Sequence, residues 1–350
     1  IYNMSSIFII YSNMKKSKNI SLQDVSNYAN VSLITVSRVL NQPEMVSIHT
    51  RKRVHAAINR IGYVPNLNAR SLVNQRTNMV GLVVPFLRSS LFADLAEGLA
   101  KELSKSGRNM LLAVSNRSQD EETKAVRTFI GRQADAIVLT CLWHNEECLS
   151  LLKAYNGPVV ESCNLKDDPL DLIVGFNNFE ASAKMTRYLI SCGFHRIAVV
   201  GSNFKEYDQS SDRLTGFYAA MKEAKLLVPK KYVLDLKLEE PIESGYTAIL
   251  KLMSLSKPPE AVYFQNEMFA HGALMACNSN QISVPEDVSI TGFGDLNISK
   301  HLPVPLTTTQ VKYSEVGSIS GKLINKRLNG ENIISNVFDV GSALITRQSV

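Results

Sequence analysis

Cysteine and long apolar runs are both scarce in this sequence of 350 residues. The five cysteines are odd in number and lack metal-ligand spacing, which indicates free thiols in a reducing cytoplasm. No apolar run approaches the ~18 residues that a membrane-spanning helix needs. The short apolar run 7–11 has no basic residue before it, unlike the apolar region of a secretory signal. The sequence therefore predicts a cytoplasmic protein with no membrane segment and no metal site.

Motifs of nucleotide binding and of catalysis are also missing. No GxGxxG follows a strand-like run, and no GxxxxGK precedes a serine or threonine. The six histidines are scattered, without an HExxH motif or a nucleophile elbow. We therefore expect neither an enzyme nor a bound cofactor. The content of 45% hydrophobic and 20% charged residues is typical of a folded globular protein, and the length suits about two domains.

Positive charge is concentrated near the amino end. Residues 15–76 contain ten basic and two acidic side chains, although the net charge of the whole chain is only +6. Residues 77–350 consequently sum to −2. A basic segment joined to a near-neutral body is typical of a module that binds a polyanion such as DNA.

Local signals in the basic segment predict three short helices. Ser21 and Asp24 have the spacing of a capping box at the start of the first helix. Its apolar face is predicted to consist of Val25, Tyr28 and Ala29. The second helix, over 32–40, begins at the capping residue Ser32, and the third, over 50–61, ends at Gly62.

The first two helices form a helix-turn-helix, because only a short turn separates them. The second helix buries a stripe made of Val36, Val39 and Leu40. On its other side Thr35, Ser37 and Arg38 can reach phosphates or base edges in the major groove. The segment 64–76 is predicted to be a hinge that folds only against a partner or against DNA, because it is too short to be helical alone.

A nearly continuous string of motifs covers these helices and the hinge. It consists of Leu22–Val25, Val31–Ser32, Thr35–Asn41, Val46–Ser47, Thr50–Arg51, Gly62–Tyr63, Pro65–Asn66, Ala69–Arg70 and Leu72. The string resembles the head of the LacI/GalR family of transcriptional repressors. The resemblance implies the DNA-binding residues Leu22, Gln23, Ser32, Leu33, Ile34, Thr35, Ser37, Arg38, Asn41, Ser47, Thr50, Asn66, Ala69 and Leu72. It also implies that Leu33, Ile34 and Ser37 face bases and that Leu72 wedges into the minor groove at the operator centre.

Short apolar runs alternate with amphipathic helices after residue 77, which predicts parallel sheets covered on both faces. About five strands on each side of residue 176 predict two doubly wound subdomains, with a ligand cleft at the carboxyl ends of the strands. This body resembles the family's periplasmic-binding-protein-like effector domain. The predicted fold class is thus a small all-α helix-turn-helix head plus an α/β effector domain.

The predicted boundaries follow from these patterns. Met14-Lys15-Lys16 fits the usual start of the family's head, so residues 1–13 are expected to be a non-native, disordered extension. The remaining plan is a helix-turn-helix domain at 14–63, a hinge at 64–76 and an effector and dimerisation domain at 77–350. Within the last, the first subdomain is predicted at 77–175 plus 306–335, and the second at 176–305 plus 336–350.

Two segments of the body most resemble gluconate-operon repressors, namely Pro158–Glu161 and Val174–Ala181. The segments Asp212–Phe217 and Asn266–Glu267 match the family's effector-arginine and Asn-Asp motifs. The resemblance implies the effector-binding residues Phe92, Glu161, Asn177, Arg213 and Glu267. Arg213 can hold a carboxylate bidentately and the other polar groups accept from hydroxyls, which suits a sugar acid such as gluconate. A pairing of Arg213 with Glu267 that does not involve ligand is the structural alternative.

The sequence as a whole predicts a homodimeric repressor of palindromic double-stranded operator DNA, controlled by a small sugar acid. A neutral sugar or a purine, as inducer or corepressor, is the alternative effector. Two rival classes are a sugar-processing enzyme with an accessory DNA module and a transport binding protein. The missing catalytic motifs argue against the first, and the missing secretory signal argues against the second.

Overall fold

The computed structural model describes residues 20–64 and 76–350. The chain divides into two units, Ile1–Gln75 and Arg76–Val350, and each has a core of its own. The predicted extension and part of the predicted hinge lie outside the described residues, namely 1–13, Asn66, Ala69 and Leu72.

Three helices form the small first unit: α1 Leu22–Ala29, α2 Leu33–Asn41 and α3 Ile48–Ile61. Each begins after a serine whose Oγ accepts a main-chain hydrogen bond: Ser21, Ser32 and Ser47. Asp24 completes the predicted capping box, since its Oδ2 accepts from the N–H of Ser21 at 2.8 Å. Asn30 and Gly62 end α1 and α3 in the left-handed conformation. Local capping chemistry therefore sets these helix limits to within two residues of the predicted ones.

The core of this unit consists of Val25, Ala29, Val36, Val39, Val54 and Ala57. Tyr28 does not belong to it, because 58% of its surface is exposed, and the predicted apolar face of α1 is wrong at this residue. Residues 28 and 29 differ by about 100° around a helix, so Ala29 faces α3 while Tyr28 faces outward. Ser26 is buried instead, and its hydroxyl donates to the carbonyl oxygen of Val31 at 2.7 Å.

Strands and helices alternate along the second unit. The strands are β1 Met79–Val84, β2 Asn109–Val114, β3 Ala136–Leu139, β4 Val159–Ser162, β5 Leu172–Gly175, β6 Ile197–Ser202, β7 Val233–Leu236, β8 Ala261–Phe264, β9 Ser289–Gly294, β10 Thr307–Gln310, β11 Val337–Asp339 and β12 Ala343–Ile345. The helices are α4 Ser90–Ser104, α5 Gln119–Gly131, α6 Glu146–Ala154, α7 Asn178–Ser191, α8 Asp208–Glu223, α9 Pro241–Met253, α10 Glu267–Ser279 and α11 Tyr313–Leu328.

The strands form two six-stranded sheets, in the orders β11-β5-β4-β3-β1-β2 and β12-β10-β9-β8-β6-β7. Every pairing is parallel except that of β10 with β12. In each sheet the strand order reverses beside its first strand, β1 or β6, which is where ligand clefts open in doubly wound sheets. The predicted fold class is confirmed.

The subdomain limits near the carboxyl end differ from the predicted ones. Thr307–Gln310 pairs with β9 in the second sheet, although we expected 306–335 to lie in the first subdomain. Val337–Asp339 pairs with β5 in the first sheet, although we expected it in the second. Short buried strands have the same apolar character in either sheet, so the sequence pattern alone does not tell which neighbour they pair with.

Three connections consequently join the two subdomains of residues 76–350. They are the links from β5 to α7, from β10 to α11 and from β11 to β12. The largest apolar cluster includes side chains of both subdomains, for example Val80, Phe176 and Phe293. Among the described residues no helix is both long and apolar enough to cross a membrane.

Glycines let α4 and α11 approach closely in the first subdomain. A Cβ atom on Gly98 would collide with the main-chain oxygen of Ser314, and one on Gly317 with that of Leu95. Both clashes involve main chain, which has little freedom to move. The contact between these two helices therefore depends on the absence of a side chain at both positions.

We predict that Gly98→Ala lowers the free energy of unfolding by about 1–3 kcal/mol, because the added methyl group overpacks this contact. Gly131→Ala is the matched control, since it ends α5 with nothing within 4 Å of the added Cβ. Urea unfolding of the two variants and the parent chain measures the difference. Equal unfolding midpoints for all three would contradict the close packing of α4 and α11.

Candidate functional site

The outer side of α2 exposes an unusual mixture of apolar and polar groups. Leu33 and Ile34 are 42% and 65% exposed, beside the exposed Arg38 and the half-buried Ser37. The opposite side buries Val36 and Val39, as predicted. Hydration does not stabilise exposed aliphatic side chains. A surface that combines them with polar groups is suited to contact with the apolar and polar edges of bases.

Several residues to which the sequence analysis assigned DNA contacts form helix-capping hydrogen bonds. Ser32 Oγ accepts from the N–H of Thr35 at 3.2 Å, and Ser47 Oγ from that of Thr50 at 3.3 Å. These serines therefore hold helix ends whose free N–H groups attract phosphates. Of the remaining assigned residues of this unit, Leu22 and Gln23 lie on α1 and Asn41 lies on α2, and Gln23 and Asn41 are exposed.

A row of five aromatic rings runs through the second unit from the first subdomain to the second. Its members in order are Phe86, Phe92, Tyr313, Phe176 and Phe293, with ring centroids 5.4, 5.9, 5.8 and 6.1 Å apart. We call this set the aromatic row. Phe92 was assigned to the effector site from the sequence, and it occupies the second place in the row. The other four rings come from four separate segments, which no sequence pattern brings together.

Arg213, on α8, lies at the Phe293 end of the aromatic row, with its Cζ 3.6 Å from the ring centroid. Its Nε donates to Oδ1 of Asn178 at 2.7 Å, and its Nη1 donates to the main-chain oxygen of Gln265 at 2.9 Å. Arg213 is only 9% exposed. No ion pair formed by the described residues includes it, so the alternative pairing with Glu267 is absent.

Unsatisfied polar groups surround this arginine. Oδ1 of Asp208 and both carboxamide atoms of Gln265 are buried without a hydrogen-bond partner. Nδ2 of Asn164 donates to Asp208 Oδ2 at 2.8 Å and to Asp212 Oδ2 at 2.7 Å. Burial raises the pKa of Asp208. Buried polar atoms normally have partners, so this group of side chains has hydrogen-bonding capacity that the described protein groups do not use.

Asn178, rather than Asn177, is the asparagine that lies beside Arg213, although the sequence analysis assigned Asn177 to the effector site. Asn177 is exposed and caps α7, because its Oδ1 accepts from the N–H of Glu180 at 2.9 Å. Asn178 is buried and contacts both Arg213 and Asn164. The motif was recognised at the right segment, but the capping requirement of α7 turns the first asparagine outward and the second inward.

Glu161 also differs from its assignment, since its partners all lie in the first subdomain. It accepts from Nζ of Lys166 at 2.6 Å and from the N–H of Leu170 at 2.7 Å, and it lies 3.5 Å from Nε2 of His144. On β4 it follows the buried Val160 and therefore points to the opposite side of the sheet, toward α5 and α6. These contacts give no support to Glu161 as an effector ligand.

His144 belongs to the same buried group. Its Nδ1 is 2.5 Å from Oε1 of Glu122, whose Oε2 accepts from the thiol of Cys141. Burial alone would lower the pKa of His144, but the hydrogen bond to Glu122 and the nearby carboxylate of Glu161 outweigh it and raise the pKa to about 9. A protonated imidazole between two carboxylates makes this a charge-balanced network within the first subdomain.

The same group includes side chains of the types that bind metals. Ligand atoms of Glu122, His144 and Cys148 lie within 4.8 Å of one another, although we expected no such arrangement from the cysteine spacing. A protonated imidazole is not a metal ligand. The hydrogen bonds from His144 and from the thiols of Cys141 and Cys148 to Glu122 already satisfy the carboxylate.

Glu267 lies at the start of α10, in the second subdomain, and is only 1% exposed. Its carboxyl group accepts from the hydroxyls of Ser299 and Thr308 and from the N–H of Asp295. Burial raises its pKa. With three donors from its own subdomain, Glu267 acts in this structure as a support for the strand ends.

Two groups near the aromatic row were missed from the sequence. Arg117 stacks on Phe86 and on Tyr207, with its Cζ 5.5 and 4.2 Å from the two centroids. Tyr207 precedes α8, and Arg117 follows β2. Arg117 could have been found from the sequence, because it lies just beyond the carboxyl end of a parallel strand, where ligand sites form in doubly wound sheets.

The comparisons with known proteins agree with this architecture. Residues 21–66 match the family model of bacterial regulatory proteins of the lacI family. Residues 77–341 match the model of periplasmic binding proteins and the sugar-binding domain of the LacI family. The chain therefore belongs to the LacI family of DNA-binding transcriptional regulators, and the resemblance seen in its sequence is confirmed.

Individual relatives cover nearly the whole chain. Catabolite control protein A of Priestia megaterium is 28% identical over 331 residues, covering 95% of this chain and 99% of that protein. The transcriptional regulator GntR of Escherichia coli is 29% identical over 331 residues, covering 95% and 98%. A crystal structure of a LacI-family regulator from Silicibacter pomeroyi is similar with a TM-score of 0.88 at 25% identity, covering 94% and 99%. These are regulators rather than enzymes, and this chain is a regulator as well.

We predict that His144 makes the stability of the second unit pH-dependent in the alkaline range. Its folded-state pKa of about 9 exceeds the ordinary 6.5, so its contribution is full below pH about 6.5 and is lost as the pH rises through 9. The parent chain should lose up to about 3 kcal/mol across this interval relative to His144→Gln. Urea unfolding at a series of pH values measures this loss.

His271→Gln is the control, because burial lowers the pKa of His271 to about 4 and leaves it neutral throughout that interval. This variant should keep the alkaline loss of the parent chain. The same alkaline loss in His144→Gln would show that another group causes it.

Proposed function

We propose that this regulator is a repressor that binds a palindromic operator as a homodimer and is released by a small sugar acid such as gluconate. The observation that carries the proposal is Arg213, a buried guanidinium whose hydrogen-bonding neighbours, Asn178, the main chain of Gln265 and the hydroxyl of Tyr313, are all neutral. Burying a cation without an opposite charge is costly, and a bidentate carboxylate would supply that charge. Asp208 and Gln265 have free hydrogen-bonding atoms for the hydroxyls of the same ligand.

The charge of Arg213 also distinguishes between the candidate classes of effector. A neutral sugar would satisfy Asp208 and Gln265 but would leave the guanidinium without a counter-charge. A purine corepressor is the second candidate, because the aromatic row provides faces on which a planar ring could stack. Relatives of nearly equal identity carry different names, so overall similarity does not select between these effectors.

DNA binding is assigned to the exposed side of α2. The exposure of Leu33 and Ile34 supports contact of their side chains with thymine methyl groups, and Ser37 and Arg38 are assigned to polar base edges or phosphates. The serine-capped starts of the three helices hold further phosphates. Two such heads in a homodimer read two half-sites, which is why we propose a palindromic operator.

The two functions are coupled if ligand and DNA prefer different arrangements of the effector domain. The cleft lies where three chain connections join the subdomains. A ligand that contacts both subdomains favours one of their relative arrangements. Operator affinity then falls by the ratio of the ligand affinities for the two arrangements.

We predict that Arg38→Ala weakens operator binding and lowers the slope of log affinity against log salt by about one unit, as expected for one lost phosphate contact. The operator is first obtained by selection from a random duplex library, and affinities are then measured at several salt concentrations. Arg60→Ala is the matched control, because Arg60 is exposed at the far end of α3. An unchanged slope in Arg38→Ala would contradict the phosphate contact.

We predict that Arg213→Met makes the repressor about 30–150-fold less responsive to gluconate, through the loss of one charge-assisted bidentate contact. Operator binding itself should persist. Arg187→Met is the control, because Arg187 is paired with Glu180 and Glu223 on the surface of α7. Titration of operator complexes with gluconate, glucose and inosine measures release, and equal release by glucose and gluconate would refute the sugar-acid assignment.

A further inference from the structure

Arg117 lies at the opposite end of the aromatic row from Arg213. Phe86 and Phe293 are the two end rings of the row, and each has a guanidinium beside it. Arg117 belongs to the first subdomain and Arg213 to the second. The row therefore carries one arginine at each end and joins the two halves of the cleft.

The main chain at Arg117 adopts a costly conformation. Asn116 and Arg117 are consecutive residues with positive φ, at 50° and 58°. Left-handed conformations cost non-glycine residues roughly 1 kcal/mol or more each, and they persist where surrounding structure requires them. The turn immediately follows β2 and places the Arg117 side chain against Phe86 and Tyr207.

The guanidinium of Arg117 forms no direct ion pair among the described residues, although the carboxylate of Asp208 attracts it from farther away. Its Nη1 makes only two long hydrogen bonds, to Oγ of Ser202 at 3.4 Å and to Oδ1 of Asn203 at 3.5 Å. Its Nε is buried without a partner, and no ion pair within residues 20–64 and 76–350 includes it. Burial lowers the pKa of Arg117 and repulsion from Arg213 adds to this, while the neighbouring Tyr207 and Asp208 oppose the shift without cancelling it.

A cavity of about 620 Å³ opens beside this guanidinium. Its wall includes Phe86, Arg88, Arg117, Lys205 and Lys237, together with three acidic side chains that do not pair with Arg117. Ligand sites commonly measure roughly 300–1,000 Å³. The space at this end therefore suits a bulky group of the ligand, with flexible cations at its edge.

We propose that the effector carries two anionic groups, a carboxylate bound by Arg213 and a phosphate ester bound by Arg117. The proposal rests on the sugar-acid function and deepens it, since the ligand becomes a sugar acid phosphorylated at the end remote from its carboxylate. Arginine binds phosphate oxygens through its planar fork of donors. Two anions of one ligand would neutralise two cations that repel each other, the buried Arg213 and the partly buried Arg117, and would tie the two subdomains together.

The test compares three probes on operator complexes of the full chain: gluconate, 6-phosphogluconate and glucose 6-phosphate. We expect 6-phosphogluconate to act at concentrations at least about tenfold lower than gluconate, and glucose 6-phosphate to be weaker than 6-phosphogluconate. Calorimetric titration of the DNA-free protein with the same probes gives the affinities directly. It therefore reports binding whether the ligand releases DNA or promotes its binding.

Variants locate the phosphate contact. Arg117→Met should abolish the preference for 6-phosphogluconate over gluconate, and Arg117→Lys should restore part of it, since lysine keeps the charge but not the fork. Arg213→Met should instead weaken both sugar acids by a similar factor. Arg187→Met, on the surface, should keep the full preference. If Arg117→Met does not fold, the ratio of the affinities for 6-phosphogluconate and gluconate is compared between the parent chain and Arg117→Lys. A lower ratio in Arg117→Lys supports the phosphate contact, and an equal ratio contradicts it.

The outcomes separate the two proposals. Equal affinities for gluconate and 6-phosphogluconate would overturn the phosphate subsite and leave the sugar-acid function standing. Equal affinities for 6-phosphogluconate and glucose 6-phosphate would overturn the requirement for two anions. Failure of all three probes to bind would overturn the sugar-acid function itself.

Discussion

A buried positive charge without an opposite charge is the constraint around which the cleft of this regulator is built. Arg213 lies against Phe293 and is held by neutral groups, namely Asn178, the main chain of Gln265 and the hydroxyl of Tyr313. Neutral acceptors fix the direction of the guanidinium but leave its charge available. The structure thus holds a preorganised cation near the carboxyl ends of the strands, and the proposed function assigns an anionic ligand to it.

The topology makes that cation useful for regulation. Because β10 belongs to the second sheet and β11 to the first, the chain passes between the subdomains three times and their relative arrangement is restricted. The aromatic row bridges the same boundary, with Phe92 on one side and Phe293 on the other. In the proposed function a ligand beside this row would contact both halves, and its binding energy would then act directly on their arrangement.

Local chemistry was the part of the molecule that could be read from the sequence with little error. The serine caps and the left-handed Asn30 and Gly62 set the limits of α1 to α3, because capping involves residues three or four positions apart. The strand and helix alternation was predicted from periodicity, whereas Arg213 was implied by the resemblance of its segment to the family motif. Asn177 marks the limit of such predictions. It caps α7 while Asn178 contacts Arg213, and only the orientation of the α7 cap distinguishes the two asparagines.

The sequence by itself thus determined the helix-turn-helix, the α/β class of the body and the segment that carries the cleft arginine. Tertiary structure alone decided the sheet to which β10 and β11 belong, the enclosure of Glu161 with His144, and the meeting of Arg117 with the aromatic row. The physical reason is the separation in sequence of the residues that interact. Periodicity and capping record whether a side chain is buried and how a helix begins, whereas the identity of a distant neighbour depends on how the sheets pair and the helices pack.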